Sequence, residues 1–367
     1  MGFKKMVKHL RCPGVGVLFG IITLIISQIA HALPWVVEEW YSRGLFGWIR
    51  RFWDFILSHS AIPGFYIFWC GVVLYWWWIW LKRPVKPALW RARFLYWLER
   101  LLGFTGFIVG SFFWLWGFNY ARVPVHEQLQ FAPEPLDSLQ LWSALEQETK
   151  MLDQLRFQLA GADTLPLNDR SLWPPQAEDT IRAAVQDWLA RHGYPSSSRV
   201  RGRMIYPEGL LFSFGASGIY WPWAGEGNLE SGMHPLRVLP AMAHEMGHAY
   251  GFGDEGVCNF IAYVSLADHS NAYLAYCARL DYWGDLARAC RRQNPETFRN
   301  DFLPQIPAGI LADEAAIRKQ HAKYQELAPE LRYQVYDSYL KAQGIASGML
   351  NYNEVLMLVE AWKKAGR

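Results

Sequence analysis

The chain has 367 residues, 52% of them hydrophobic and 16% aromatic, with 20 tryptophans and a formal net charge of +3 at pH 7. So small a positive balance gives no footing for nucleic-acid binding, and the aromatic load is well above that of an ordinary soluble protein. Five cysteines, an odd count, define no disulfide framework; Cys277 and Cys290 could pair in an oxidising compartment or stay as free buried thiols.

The aromatic residues crowd into the first third, where three segments reach the length of about 20 apolar residues that a bilayer span needs. They are residues 14–33, 64–81 and 101–118. The first has the basic start and apolar stretch of a cleaved leader, but its apolar run is long and His31-Ala32-Leu33-Pro34 makes a poor cleavage site. A retained anchor is expected. Residues 35–59 place Trp48, Phe52, Phe55 and Ile56 at near-helical spacing, the pattern of an amphipathic helix lying in the membrane interface. The second and third spans end in Trp76-Trp77-Trp78-Ile79-Trp80 and Trp114-Leu115-Trp116, which suit the headgroup zone. Lys4, Lys5, Lys8 and Arg11 precede the first span, and Lys82, Arg83, Lys86, Arg91 and Arg93 lie between the second and third. The positive-inside bias keeps both groups cytoplasmic, so three spans carry everything after residue 118 to the far side. None of the spans has a central charge to mark a transport pathway.

Residues 119–367 have the composition of one globular domain. A proline-containing linker, 122–135, leads to helices expected over 136–160 and 177–192, whose apolar stripes read as core. The β-prone runs 210–214 and 218–221, separated by Gly215-Ala216-Ser217, predict a hairpin. It either caps the core or offers an edge strand to a substrate backbone.

His244-Glu245-Met246-Gly247-His248 then reproduces HExxH, the signature of zinc-dependent peptide hydrolases. On a helix the two histidines share one face about 6 Å apart and can converge on one metal ion. Glu245 points to a neighbouring position, where it can take a proton from metal-bound water. Pro240 is placed to start this helix and Gly251 to stop it. The third ligand has two candidates. Glu255 opens an apolar-periodic helix through Leu266 and has Asn259 one turn on, placed to orient a liganding histidine. Asp254, six residues beyond His248, is the alternative ligand, with a helix N-cap as its plain role. Cys258 could also bind zinc, but reads more simply as a small buried hydrophobe. Further helices are expected over 271–292, 313–327, 330–343 and 352–364. Tyr220, His234, Arg237 and Tyr352 are candidates for oxyanion or substrate contacts.

Several of these stretches resemble an uncharacterised family of bacterial membrane proteins, a domain of unknown function that couples N-terminal spans to an HExxH domain. The matching residues are Gly218-Ile219-Tyr220-Trp221-Pro222-Trp223, the HExxH pentad, Gly251-Phe252 with Glu255, Asn259-Phe260-Ile261-Ala262-Tyr263, Tyr339-Leu340-Lys341 and Tyr352. The resemblance implies a gluzincin-like peptidase, zinc held by two histidines and one glutamate, and brings no established substrate. Members read close to E-x-E-A-N where this chain has Glu255-Gly256-Val257-Cys258-Asn259. A family ligand at the second acidic position would therefore be missing here.

The expected fold is mainly α, with three N-terminal transmembrane helices and a mostly helical, zincin-like extracytoplasmic domain carrying a small β-hairpin or sheet. The expected function is that of a zinc metallopeptidase anchored in a bacterial inner membrane, its catalytic domain on the periplasmic or extracellular side. His244, His248 and Glu255 would bind Zn2+ and Glu245 would activate the zinc-bound water against an exported or juxtamembrane polypeptide. The alternative is a catalytically inactive zinc-binding membrane receptor or assembly factor, with Cys258 or Asp254 as a fourth protein ligand. HExxH lies far beyond the last span and outside any apolar run of spanning length, which argues against an intramembrane protease.

Overall fold

A computed structural model describes residues 11–83 and 90–366. Two compact units divide the chain: Met1–Val123 with Pro222–Ala224, and Pro124–Trp221 with Gly225–Arg367. Lys4, Lys5, Lys8 and Lys86, which carry much of the expected topology, lie outside the described residues.

The first unit contains α1 (Arg11–His31), α2 (Phe46–Leu57), α3 (Gly64–Leu81) and α4 (Trp90–Leu115). Gly14–His31 of α1, all of α3 and all of α4 are long and apolar enough to cross a membrane. Glycines let α1 and α4 meet backbone to backbone. A Cβ on Gly20 would come within 2.8 Å of the Gly106 backbone, an approach typical of apolar helices that pack through small residues. Beside them, Trp114 Nε1 donates to Thr23 Oγ1 at 3.2 Å, which gives both polar groups a partner in an apolar setting.

The third span differs from its expected bounds of 101–118, being helical from Trp90, where the described residues resume, to Leu115. Arg91, Arg93, Glu99 and Arg100 hid its first turns from a hydropathy reading, yet all are good helix formers and the helix propagates through them. The first span stops at His31, two residues short of its expected end, and Gly117–Ala121 is a 3-10 turn. From Pro34 to Leu57 the chain is helical throughout, as a turn (Pro34–Val36), a π-type stretch (Val37–Leu45) and α2. α2 turns Trp48, Phe52, Phe55 and Ile56 outward while burying Phe46 and Arg50.

The second unit is built around one buried helix. Its long elements are α5 (Ser138–Ala160), α6 (Ala177–Arg191), β1 (Gly202–Ile205), β2 (Gly218–Trp221), β3 (Glu226–Glu230), α7 (Pro235–Ala249), α8 (Glu255–Leu266), α9 (Ala272–Gln293), α10 (Ala308–His321), α11 (Pro329–Ala342) and α12 (Glu354–Lys364). α7, which carries HExxH, packs on the sheet, α6, α8 and α9, and is buried on nearly every side. The sheet runs β1-β3-β2, with β1 parallel to β3 (Gly202 opposite Gly227) and β2 antiparallel to it (Tyr220 opposite Gly227). Each strand turns a glycine toward α7. A Cβ on Gly202 would meet the Met242 side chain, one on Gly227 would lie 2.5 Å from Glu245 Cβ, and one on Gly218 would strike the Glu245 carboxylate. The sheet therefore rests directly on the helix that carries HExxH. On the far side, Asp313 is fully buried and accepts from Arg156 Nε (2.9 Å), Tyr276 Oη (2.6 Å) and the Leu167 N–H (2.7 Å), tying α5, α9 and α10 together.

Three local expectations need correction. Residues 210–214 are not a strand: Leu210–Ser213 forms one helical turn, and the partner of β2 is the unpredicted β3. Glu-Gly-Asn-Leu-Glu has a poor strand composition, and it holds its place because Glu226 pairs with Arg203 at 3.4 Å and Glu230 binds four backbone N–H groups. α7 begins at Pro235, not Pro240, since Pro235 takes the first-turn slot and the helix continues through the interior Pro240, which lacks an N–H for the preceding turn. α10 begins five residues earlier than expected, after Pro307, and stops at His321; beyond it the Leu327 N–H donates instead to Ser213 O at 2.8 Å. Cys277 and Cys290 are both free and buried.

Candidate metal centre

The α7–α8 turn builds the site. Gly251 takes φ +92°, and behind it the Phe252 N–H bonds to Gly247 O (3.2 Å) and the Gly251 N–H to His248 O (2.9 Å), the Schellman pairing that closes a helix end. The chain reverses at once, and Asp254 starts α8 by accepting from the Val257 N–H at 2.8 Å. A Cβ on Gly247 would sit 3.2 Å from Cys258 Sγ, so the two helices lie close just where the histidines emerge.

His244 Nε2 and His248 Nε2 lie 3.1 Å apart, and Glu255 Oε2 is 3.1 Å from the first and 3.3 Å from the second. A tetrahedral ion with bonds of about 2.0–2.1 Å separates its donors by roughly 3.3 Å. The triangle of donor atoms is therefore of the right size for one ion, and His244, His248 and Glu255 are the residues that could hold it.

The tautomers also suit ligation. Asn259 Oδ1 stands 2.6 Å from His244 Nδ1, and the Phe252 carbonyl 2.8 Å from His248 Nδ1. Both partners can only accept, so both Nδ1 atoms carry hydrogen, and the two Nε2 atoms, which ligate once they carry none, face Glu255. Burial opposes charge on His248 and Glu255 alike, yet His248 is held well above the usual histidine range and Glu255 well below the usual carboxylate range. Burial pushes the Cys258 thiol beside His248 up to about 11, which leaves it neutral. The charge that keeps a proton on the ring is thus Glu255's, and a metal ion would replace that proton.

Glu245 lies 4% exposed among these groups, and its Oε2 has no hydrogen-bond partner among the described residues. Burial pushes its carboxyl up to about 7, against the pull of His248 and His244. A buried carboxylate with an unsatisfied oxygen is costly unless a proton, water or cation fills the gap.

A protein-family model matches residues 41–359, most of the chain, and its description is "Protein of unknown function (DUF3810)". The chain belongs to the DUF3810 family. That description assigns no activity, and no curated protein and no solved structure matches the chain. The geometry of the site itself is what bears on chemistry.

The remaining candidates fall elsewhere. Asp254 spends one oxygen on the helix cap and accepts from Asn351 Nδ2 on the other at 2.9 Å, so its carboxylate serves the α8 N-terminus rather than the histidine pair. Cys258 Sγ lies 3.3 Å from His248 Nδ1, on the ring edge opposite Nε2. Val257 is about 200° around α8 from Glu255, so an acid there would point away from the histidines. Tyr220 shares with Gly218 the sheet face turned to α7, and the Tyr352 side chain lies outside the described residues. Two partners escaped the sequence reading: Tyr336, which donates to Glu255 Oε1 at 2.8 Å, and Asn351, which accepts from the Gly256 N–H at 3.0 Å. A cavity of about 1060 Å³ lies against Trp188, Tyr263, Arg279 and Trp362 and includes none of His244, Glu245, His248 and Glu255.

His234 and Arg237 stand at the opposite end of α7. Arg237 pairs with Asp281, and His234 caps the helix, with Nδ1 accepting from the Leu236 N–H (3.3 Å) and Nε2 donating to Asn168 Oδ1 (2.5 Å). Burial pushes the His234 pKa down to about 4. The folded state then binds fewer protons than the unfolded state between pH 6.5 and 4, so this contribution is intact above about 6.5 and is lost as pH falls to about 4. The full swing is at most about 3 kcal/mol, and solvent screening of the part-exposed ring reduces it. Melting temperatures across that window should fall less steeply for His234→Gln than for the wild type, and parallel curves would remove the histidine from the account.

Proposed function

We propose that this protein is a membrane-anchored zinc metallopeptidase. The observation that carries the reading is the triangle of His244 Nε2, His248 Nε2 and Glu255 Oε2, with edges of 3.1–3.3 Å, beside the buried Glu245 carboxylate, whose Oε2 has no hydrogen-bond partner among the described residues. Zinc, when bound, would polarise the peptide carbonyl and bring the pKa of a coordinated water near neutrality. Glu245 would accept the proton of the attacking water and return it to the leaving amine as the C–N bond breaks. Asn259 and the Phe252 carbonyl would keep the imidazoles in the ligating tautomer, and α7 and the sheet would keep bulk water from Glu245. Cys258 and Asp254 face away from the donor triangle, which favours three protein ligands over the four of an inactive structural site. In this reading the first unit is the bilayer anchor, with α2 in the interface, the second unit lies on the periplasmic or outer side of the inner membrane, and the substrate is an exported or juxtamembrane polypeptide.

Metal analysis of the purified protein tests the assignment. The wild type should carry about one zinc per chain, and His244→Ala and His248→Ala should each lose it. Zinc retained at wild-type stoichiometry in both variants would overturn the reading.

A further inference from the structure

The two oxygens of Glu255 have separate partners. Oε2 faces both histidine Nε2 atoms, at 3.1 and 3.3 Å, while Oε1 accepts a hydrogen bond from the Tyr336 phenol at 2.8 Å. Glu255 is 3% exposed, so solvent has little access to Oε1, and no other donor reaches that oxygen among the described residues. Tyr336 comes from α11, more than a helix away in sequence, and its ring stacks on Tyr339 with centroids 5.9 Å apart.

We propose that Tyr336 is a positioning residue that restricts Glu255 to one-oxygen ligation and so keeps a coordination position open at the metal; the inference rests on the zinc reading above. A carboxylate can bind a cation through one oxygen or both. Two imidazoles, one glutamate oxygen and a water make a four-coordinate shell, and a second glutamate oxygen would add a fifth donor in the place to which the shell must expand for the substrate carbonyl. Hydrolysis needs one position left for water or the substrate carbonyl. The hydrogen bond from a phenol to an ionised carboxylate is charge-assisted and short, and Oε1 cannot swing onto the ion without giving it up. Without the phenol, Oε1 is a buried anionic oxygen with one obvious destination, the cation next to it.

The test uses the full chain in detergent, loaded with Co2+ in place of Zn2+, because the visible ligand-field bands of cobalt are strong in four-coordinate sites and weak in five-coordinate ones. The wild type should show the strong bands. Tyr336→Phe should keep its cobalt and lose band intensity as the second carboxylate oxygen adds a fifth donor. Tyr339→Phe, which keeps the stacked ring and leaves the Tyr336 phenol in place, should match the wild type. A Tyr336→Phe spectrum equal to the wild type's, or loss of cobalt from that variant, would overturn the proposal while leaving the metal centre standing. Failure of the wild type to take up cobalt at all would sink the zinc reading itself and this inference with it.

Discussion

Glu245→Gln should keep its zinc and lose peptide hydrolysis, with a rate lower by roughly 10²–10⁴, the usual contribution of a general acid–base group. Glu245 holds the position between the two histidines on α7, so its side chain leaves the helix beside theirs without joining the donor triangle. Its surroundings explain why an uncharged isostere should fit. Gly218 and Gly227 leave just enough room for the side chain against the sheet, and glutamine fills the same volume. What glutamine cannot do is accept a proton from water and hand it on. Measured together, zinc content and cleavage of an unfolded polypeptide separate the two roles: lost zinc would make Glu245 a structural member of the site, and wild-type cleavage would move the base to another residue.

The parts of the site that follow from helical period were legible in the sequence. Two histidines one turn apart, a glycine that ends the helix, and an amide one turn beyond Glu255 are all local patterns, and α7, Gly251 and α8 realise them within a single helix–turn–helix. Tyr336 and Asn351 were not legible, because each reaches the site from a separate element by tertiary packing, and a half-exposed tyrosine on an undistinguished helix carries no local signal. Hydropathy located three membrane-length helices but misjudged the third, whose first turns are charged and helical at once. The sheet was the weakest reading. Strand propensity favoured Leu-Leu-Phe-Ser-Phe over Glu-Gly-Asn-Leu-Glu, and tertiary hydrogen bonding reversed that preference.

The residue responsible for the reversal is Glu230, and Glu230→Ala should destabilise the second unit by on the order of 4 kcal/mol. Its carboxylate is fully buried. Oε1 accepts from the N–H groups of Gly209 (2.7 Å) and Gly232 (2.8 Å), and Oε2 from those of Leu211 (2.7 Å) and Phe212 (3.3 Å). Three of these donors begin the Leu210–Ser213 turn, so the carboxylate supplies the acceptor that the turn's free N–H groups need, and this is why an apolar run with strand propensity coils instead. Alanine would leave four donors without an acceptor in a space that excludes water, each costing about 1–3 kcal/mol before relaxation. Glu230→Gln keeps one carbonyl oxygen and should fall between alanine and wild type. Denaturant midpoints in detergent read the ranking directly. An alanine variant within about 0.5 kcal/mol of wild type would mean that the turn finds its acceptors elsewhere, and that β3 owes its position beside Glu245 to backbone pairing with β1 and β2 alone.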